Sequence, residues 1–223
     1  MDLSALKNSE LFHNISETDI SVLLTELQAK CVTYKNGDII FPVGSKAEGI
    51  GLVLSGEVLF THSDVSGHNT IFDRIEPGEI FEEAHAFAQE KILIVDMVAK
   101  KTTKVLFFNI DQLLFLQQNS QNQAYNQLIR NLLKLLSTKV LDLKKKIKYI
   151  SPKSIRERCQ TYFHDQVKLH ESFSFDIPFN RQEMADYLNV DRSSLSAELI
   201  KMQQDGIIIY EKNHFTLLID ELN

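Results

Sequence analysis

The chain has 223 residues, 43% of them hydrophobic and 24% charged, with a formal net charge of −6. That composition suits one large or two modest globular domains and excludes a low-complexity or fibrous chain. No apolar run is long enough to cross a bilayer, and Met1-Asp2-Leu3-Ser4 lacks the basic start of a signal peptide, so a cytoplasmic protein without a membrane anchor is expected.

Residues 9–27 place Leu11, Phe12, Ile15, Ile20, Leu23, Leu24 and Leu27 at helical spacing, and Ser16 with Asp19 marks a helix start. From Cys31 to about Phe108 the texture changes to short Val-, Ile- and Phe-rich runs. Turn signals punctuate them at Asn36-Gly37, Pro42-Val43-Gly44, Ser55-Gly56, Ser66-Gly67 and Pro77-Gly78. Strands at such intervals predict an antiparallel β-sandwich or jelly roll. Between Asp111 and Ile150 there is neither Gly nor Pro, which predicts one long helix. Tyr125, Ile129, Leu132, Leu136, Val140, Leu143, Ile147 and Ile150 step by threes and fours, a coiled-coil seam with one irregular step. A second flank of Leu128, Leu133, Leu135 and Leu141 predicts that this helix touches both its own sheet domain and a second copy of the chain. Ser151-Pro152 ends it and starts the next helix, on which Ile155, Cys159, Tyr162 and Phe163 share a face. A short strand follows near Phe173–Ile177. The cysteines, Cys31 and Cys159, are not spaced as a metal or redox motif.

The C-terminal segment carries the functional signal. Asn180-Arg181-Gln182-Glu183 reads as an N-cap with Glu three residues on. Met184, Ala185 and Leu188 form the buried face of a short helix, Asn189-Val190-Asp191 turns the chain, and Asp191 caps a second helix that runs to about Gln204. Leu195, Leu199, Ile200 and Met202 are its apolar positions, Gly206 ends it, and residues 207–219 form a hairpin wing. A helix of this kind fits the major groove and reads base edges from its N-terminal end. Arg192 is the expected base reader, since a guanidinium pairs bidentately with guanine. Ser193, Ser194, Ser196 and Ala197 share the outward face, with Lys201 behind them, and Lys212 sits on the wing. Asn180, Arg181 and Gln182 open the first helix, whose free N–H groups suit a phosphate. The charge runs the other way: residues 151–223 hold eight Lys/Arg against twelve Asp/Glu, a balance of −4.

Taken together, Asn36-Gly37-Asp38-Ile39-Ile40-Phe41, Leu54-Ser55-Gly56-Glu57-Val58, Pro77-Gly78-Glu79-Ile80-Phe81-Glu82-Glu83, Asn180 to Leu188 and Asp191 to Gly206 resemble the Crp/Fnr family of bacterial regulators across nearly the whole chain. The resemblance implies an α+β architecture in three parts. Residues 1–110 form a double-stranded β-helix (jelly roll) sensor domain of cyclic-nucleotide-binding type. Residues 111–150 form a dimerisation helix, and 151–223 a winged helix-turn-helix DNA-binding domain. It also implies a homodimer on a palindromic operator, with an interface through Tyr125, Ile129, Leu132, Leu136, Val140, Leu143 and Ile147. Half-sites lie about one helical turn apart. Activation would add RNA polymerase as a partner, though no residue pattern reveals the surface.

Departures from the family pattern narrow the function. Members that bind cyclic nucleotides place Gly-Glu and, about ten residues on, Arg-Ser around the phosphate; here those positions hold Glu82-Glu83 and Leu93-Ile94. A phosphate would meet apolar side chains and an extra carboxylate, so no cyclic AMP binding is expected. An effector pocket lined by Glu82, Glu83, Ala84, Leu93, Ile94, Tyr125 and Leu128 would favour an apolar or cationic molecule. A constitutive regulator whose pocket is filled by its own side chains is the alternative. Met1 to Lys30 lacks the cysteine cluster of the iron–sulfur members, and His13, His62, His68 and His85 are isolated, so no cofactor or metal is expected. At the positions of Ser193 and Ala197 well-known members carry Glu and Arg, so a different operator is expected. A cupin-type enzyme would need a His-x-His pair, which the chain lacks, and no catalytic residues are assigned.

Overall fold

The computed structural model describes residues 6–7, 9–46, 49–63, 69–88, 92–119 and 122–218; the expected turn at Ser66-Gly67, His68 and the last wing residue, Ile219, lie outside them. The chain divides into two compact units, Met1–Leu136 and Ser137–Asn223.

In the first unit, helix α1 (Glu17–Glu26) starts where the sequence places it, the Ser16 hydroxyl accepting the Asp19 N–H at 3.1 Å. Six strands follow: β1 (Lys30–Tyr34), β2 (Ile39–Phe41), β3 (Gly49–Ser63), β4 (Asn69–Ile75), β5 (Ile80–Phe81) and β6 (Asp96–Asn109). They pair antiparallel in the order β1-β6-β3-β4, with β2 on β6 and β5 on β3. The long β3–β6 ladder runs from Gly49↔Asn109 to Thr61↔Asp96, with register shifts between Val53 and Glu57 that bend the sheet into a roll. The bend requires Gly56: its φ is +89°, and a Cβ there would come within 2.4 Å of the Thr103 hydroxyl oxygen. That hydroxyl accepts the Glu57 N–H at 3.1 Å and donates to the Glu57 carbonyl at 3.0 Å.

Alternation along the strands sorts the side chains onto two faces. Val53, Val58, Ile75, Phe81, Leu93, Met97, Ala99 and Val105 fill the inside of the roll. Ile50, Leu52, Leu106 and Phe108 turn outward, against α1 and against Leu113, Tyr125, Leu128 and Leu132. Over residues 50–53 and 105–108 both faces are therefore largely dry, and these stretches read as continuous apolar runs, whereas β1 and the middle of β6 stay exposed.

The single helix expected over 111–150 is two, α3 (Ile110–Asn119) and α4 (Gln123–Ile150). Asparagine side chains start both: Asn109 accepts the N–H groups of Asp111 at 2.8 Å and Gln112 at 3.2 Å, and Asn122 accepts that of Ala124 at 2.9 Å. A chain without Gly or Pro can still break where Asn offers the backbone another partner.

In the second unit, helix α5 (Ile155–His170) begins three residues later than the Ser151-Pro152 signal suggests. Ser154 is the N-cap of a full capping box: its hydroxyl accepts the Glu157 N–H, and the Glu157 carboxylate accepts the Ser154 N–H, both at 3.2 Å. After β7 (Ser174–Asp176) come α6 (Arg181–Tyr187), α7 (Arg192–Gln204) and the hairpin β8 (Ile208–Glu211) and β9 (His214–Leu217). The strands form a sheet in the order β7-β9-β8. Its core joins Cys159, Tyr162, Phe163, Phe175, Met184, Leu195, Leu199, Met202, Ile208 and Phe215. Burial pushes the Cys159 thiol up to about 12, so it packs as a small apolar side chain.

Candidate nucleic-acid interface

Helix α6 begins with the expected capping box: the Asn180 side chain accepts the N–H groups of Gln182 and Glu183, and Glu183 returns to the Asn180 N–H at 2.7 Å. Met184, Ala185 and Leu188 are buried beneath it. Asn189 takes the left-handed conformation, φ +53°, at the turn, a conformation that asparagine tolerates better than most residues. Asp191 stands at the N-cap of α7 but makes no side-chain cap. Its carboxylate accepts the hydroxyls of Ser194 at 2.9 Å and Ser193 at 3.4 Å instead, and the Ser196 hydroxyl donates to the Arg192 carbonyl at 2.9 Å.

The outward end of α7 is therefore built as follows. Arg192, Ser193, Ser194, Ala197 and Lys201 are exposed and Ser196 is half-buried. All three serine hydroxyls have their protons engaged locally. The Arg192 guanidinium makes no ion pair among the described residues.

Two arginines absent from the sequence expectations fix this helix. The Arg156 Nε meets Glu198 at 2.6 Å and its Nη2 meets Asp205 at 2.7 Å, tying α5 to the middle and the C-cap of α7. Those two carboxylates, Glu198 foremost, raise the Arg156 pKa above its usual range. The Arg158 Nη1 donates to the carbonyls of Leu188 at 3.1 Å and Asn189 at 2.9 Å, closing the turn between α6 and α7. Nothing in their sequence neighbourhood distinguishes them from solvent-facing helical arginines, since these partners lie thirty to fifty residues away.

One expected DNA contact is used otherwise. Arg181 is half-buried, its guanidinium 5.0 Å from the centre of the Tyr210 ring and 5.5 Å from that of Phe215. It also donates to the Lys212 carbonyl at 3.2 Å, and burial lowers its pKa. The wing's aromatic face claims it, so it holds the hairpin against α6. Lys212 itself, φ +53° at the hairpin turn, stays exposed.

The −4 of residues 151–223 is offset by Lys139, Lys144, Lys145, Lys146 and Lys148 against Asp142, so the second unit as a whole is neutral, and many of its carboxylates have partners inside it. Glu198 and Asp205 meet Arg156, Asp165 meets Lys148 at 2.6 Å, Asp191 meets two serines, and Glu157 and Glu183 close capping boxes. Arg192, Lys201 and Lys212 remain outward and without ion pairs among the described residues.

In the roll, Glu82 occupies the expected glycine position with a left-handed backbone, φ +65°, directly before the short helix α2 (Glu83–Phe87). Its buried carboxylate lies 3.2 Å from the His85 Nδ1. The expected pocket is not gathered in one place. Glu82 and Glu83 are buried, Ala84 is exposed, Leu93 packs inside the roll, and Ile94 is 72% exposed. Tyr125 and Leu128 belong to the other cluster, on the outer face of the sheet, where the Tyr125 hydroxyl donates to the Leu113 carbonyl at 2.6 Å. Aromatic rings fill the interior instead. Phe41, Phe60, Phe81 and Phe107 run in edge-to-face contact, Phe41–Phe107 at 5.6 Å, Phe107–Phe81 at 6.2 Å and Phe81–Phe60 at 6.3 Å. Phe81 lies so close over Gly51 that a Cβ there would fall 2.3 Å from its ring.

The expected dimer seam is divided in the same way. Tyr125 and Leu132 are buried in the chain's own core, and Ile129 and Leu136 are partly buried against it. Val140, Leu143 and Ile147 are exposed, as are Leu133 and Leu141. Exchanging Leu132 for Leu133 removes the irregular step: 129, 133, 136, 140, 143 and 147 advance by 4, 3, 4, 3 and 4.

Residues 31–120 match the cyclic nucleotide-binding domain family, and residues 157–221 the Crp-like helix-turn-helix domain family. The cyclic AMP receptor protein of Thermus thermophilus is 21% identical over 203 residues, 91% of this chain and 89% of that protein. The transcriptional activator protein FnrL of Cereibacter sphaeroides is 35% identical over 57 residues, 24% of this chain and 23% of its own length. Among solved structures, the catabolite activator protein of Thermus thermophilus shares the fold at a TM-score of 0.55 and 20% identity, covering 94% of this chain and 93% of that one. A β-roll ahead of a winged helix-turn-helix whose reading helix is exposed defines a DNA-binding transcription regulator. The chain belongs to the Crp/Fnr family.

Proposed function

We propose that the protein acts in the cytoplasm as a homodimer on a palindromic operator, and that its roll answers to a small effector other than cyclic AMP. The observation that carries the DNA reading is the braced, outward N-terminal end of α7, with Arg192 unpaired at its first turn. In the major groove Arg192 is the base reader. Lys201, Lys212, Gln182 and the α6 N-terminus at Asn180 meet phosphates, and Ala197 with the serines sets how closely the helix approaches. A second chain lies along Leu133, Leu136, Val140, Leu143 and Ile147. The homodimer places two copies of α7 on successive major grooves. RNA polymerase is a further partner if the regulator activates.

Two features support exclusion of cyclic AMP. Leu93 and Ile94 offer a phosphate neither cation nor donor, and the interior volume is taken by phenylalanine rings. The same filling favours a second reading, a regulator that binds DNA constitutively.

Selection of bound sequences from random duplex DNA, with purified protein and no added ligand, tests the proposal. A palindromic motif is expected, with base preference at one position per half-site lost in Arg192→Ala. A motif that survives this substitution unchanged refutes the assignment of the base reader. No enrichment at any salt concentration refutes the constitutive reading.

A further inference from the structure

The described cavities include one of about 300 Å³ at the β1 edge of the roll, apart from the Glu82–Leu93 region. Lys30, Val32 and Tyr34 alternate along β1 and stand in register with Phe107, Val105 and Thr103 of β6. Phe107 and Val105 belong to the roll interior, so the Lys30–Val32–Tyr34 row faces the same way. Tyr34 and Phe41 approach Phe107 edge-on, at 6.5 Å and 5.6 Å, and leave a slot beside it. Gln28 and Asn109 also line it.

Three properties of this cavity select a ligand. Four aromatic residues line it: Phe108 is buried, while Tyr34, Phe41 and Phe107 are half-buried, so a flat apolar group covering these three rings removes surface from water and gains edge-to-face contacts. Among the lining residues Lys30 is the one charged side chain, and no carboxylate lines the cavity or pairs with it among the described residues. Burial also raises the Tyr34 pKa, so its hydroxyl stays a neutral donor.

We infer that the roll binds a one-ring aromatic carboxylate at the β1 edge, its ring against Tyr34, Phe41 and Phe107 and its carboxylate on Lys30. The inference rests on the proposed effector-responsive roll and names the effector's chemical class. It also supplies a route inward: a ring seated on Phe107 bears on Phe81, the residue before Glu82 and α2. The cavity has room for a single ring with an acetate arm.

The test uses the full chain and three probes of one shape: phenylacetate, 2-phenylethanol and phenethylamine. Calorimetric titration is expected to give saturable one-to-one binding of phenylacetate with a Kd on the order of 1 mM or below. The alcohol should bind about tenfold more weakly, the value of one charge-assisted hydrogen bond, and the amine more weakly still. In Lys30→Gln phenylacetate should fall to the level of the alcohol, while the alcohol itself is unchanged. Lys35→Gln, an exposed lysine outside the cavity, should behave as the unaltered protein, and Val32→Tyr, which fills the slot, should abolish binding of all three. Equal affinity for acid and alcohol, or an unchanged Kd in Lys30→Gln or Val32→Tyr, overturns the inference. Operator binding measured on the same samples separates the two readings. Intact DNA binding without phenylacetate binding overturns this inference alone, whereas protein that selects no DNA sequence overturns the regulator beneath it.

Discussion

Two leucines eleven residues apart on α4 should respond to substitution in opposite ways. Leu132 is 4% exposed, packed with Leu128, Tyr125 and Phe12 in the first unit's core. Truncating a leucine so buried to alanine costs about 2–5 kcal/mol. Unfolding should then move down by roughly 5–15 °C for a protein of this size. Leu143 is 60% exposed within its own chain and so adds little to the stability of a single copy. Full burial of a leucine contributes about 1.5–3 kcal/mol, and rather more than half of that is still available to a partner. A twofold interface uses the residue twice, so Leu143→Asp removes about 2–4 kcal/mol of association energy, and the dissociation constant rises roughly 30- to 1000-fold. Sedimentation velocity over a concentration series, run beside thermal unfolding of the same variants, reads both quantities. The expected pattern is a Leu132→Ala dimer with a lowered midpoint and a Leu143→Asp monomer. A Leu143→Asp dimer indistinguishable from the unaltered protein would sink the assignment of the seam. So would a Leu132→Ala protein that dissociates at an unchanged unfolding midpoint.

Arg192→Ala should cost about 1–3 kcal/mol on the preferred operator and almost nothing on random DNA, measured by fluorescence anisotropy. Arg181→Ala should loosen the wing and lower the unfolding midpoint of the second unit, with the salt slope of DNA binding unchanged because no phosphate contact is lost. Arg156→Ala leaves Glu198 and Asp205 without their counter-ion; operator affinity should fall while the selected sequence stays the same, and a changed sequence would show that Arg156 itself reads bases. Alkali should unfold the second unit, where burial raises the pKa of Tyr149, Tyr162 and Tyr187, with Asp165 adding to the effect at Tyr149. Folded pKa values above the unfolded one mean stability fully present below about pH 10 and lost as pH rises beyond it. A second unit as stable at pH 11.5 as at pH 8, followed by near-ultraviolet circular dichroism, would contradict this.

What was legible in the sequence was local. Capping at Ser16 and Asn180, the glycine bend at Gly56, the buried face of Met184, Ala185 and Leu188, and the stop at Gly206 each depend on residues within a few positions of one another. Other placements depended on partners from elsewhere. Arg181 looks like a cation at a helix start until Tyr210 and Phe215, some thirty residues on, supply the rings beneath it. Tyr125 and Leu132 fit a dimer seam by spacing alone, and only the β-sheet decides which side of α4 it covers. Yet the irregular step in that seam was itself a signal, because a helix that changes partners along its length must shift its apolar stripe. The residues expected around the effector divide for a related reason: Leu93 and Tyr125 stand on opposite faces of one sheet, and a motif carries no information about which face a neighbour uses.

How residues 151–223, with a balance of −4, can serve DNA follows from where their charges are used. Net charge governs non-specific attraction over a Debye length, but a base contact is decided within hydrogen-bonding distance. Here Glu198 and Asp205 are paired with Arg156, whereas Asp191 accepts only serine hydroxyls and keeps its charge beside Arg192 at the outward end of α7. The unpaired cations are few, and one of the four expected is committed to the wing. Affinity built on so few phosphate contacts has a shallow salt slope, each contact contributing about 0.9 to it. Discrimination must then come from Arg192, from the fixed spacing of two half-sites in a dimer, and from DNA that bends to meet them. Weakening the dimer should therefore cost this protein more of its specificity than removing any single lysine.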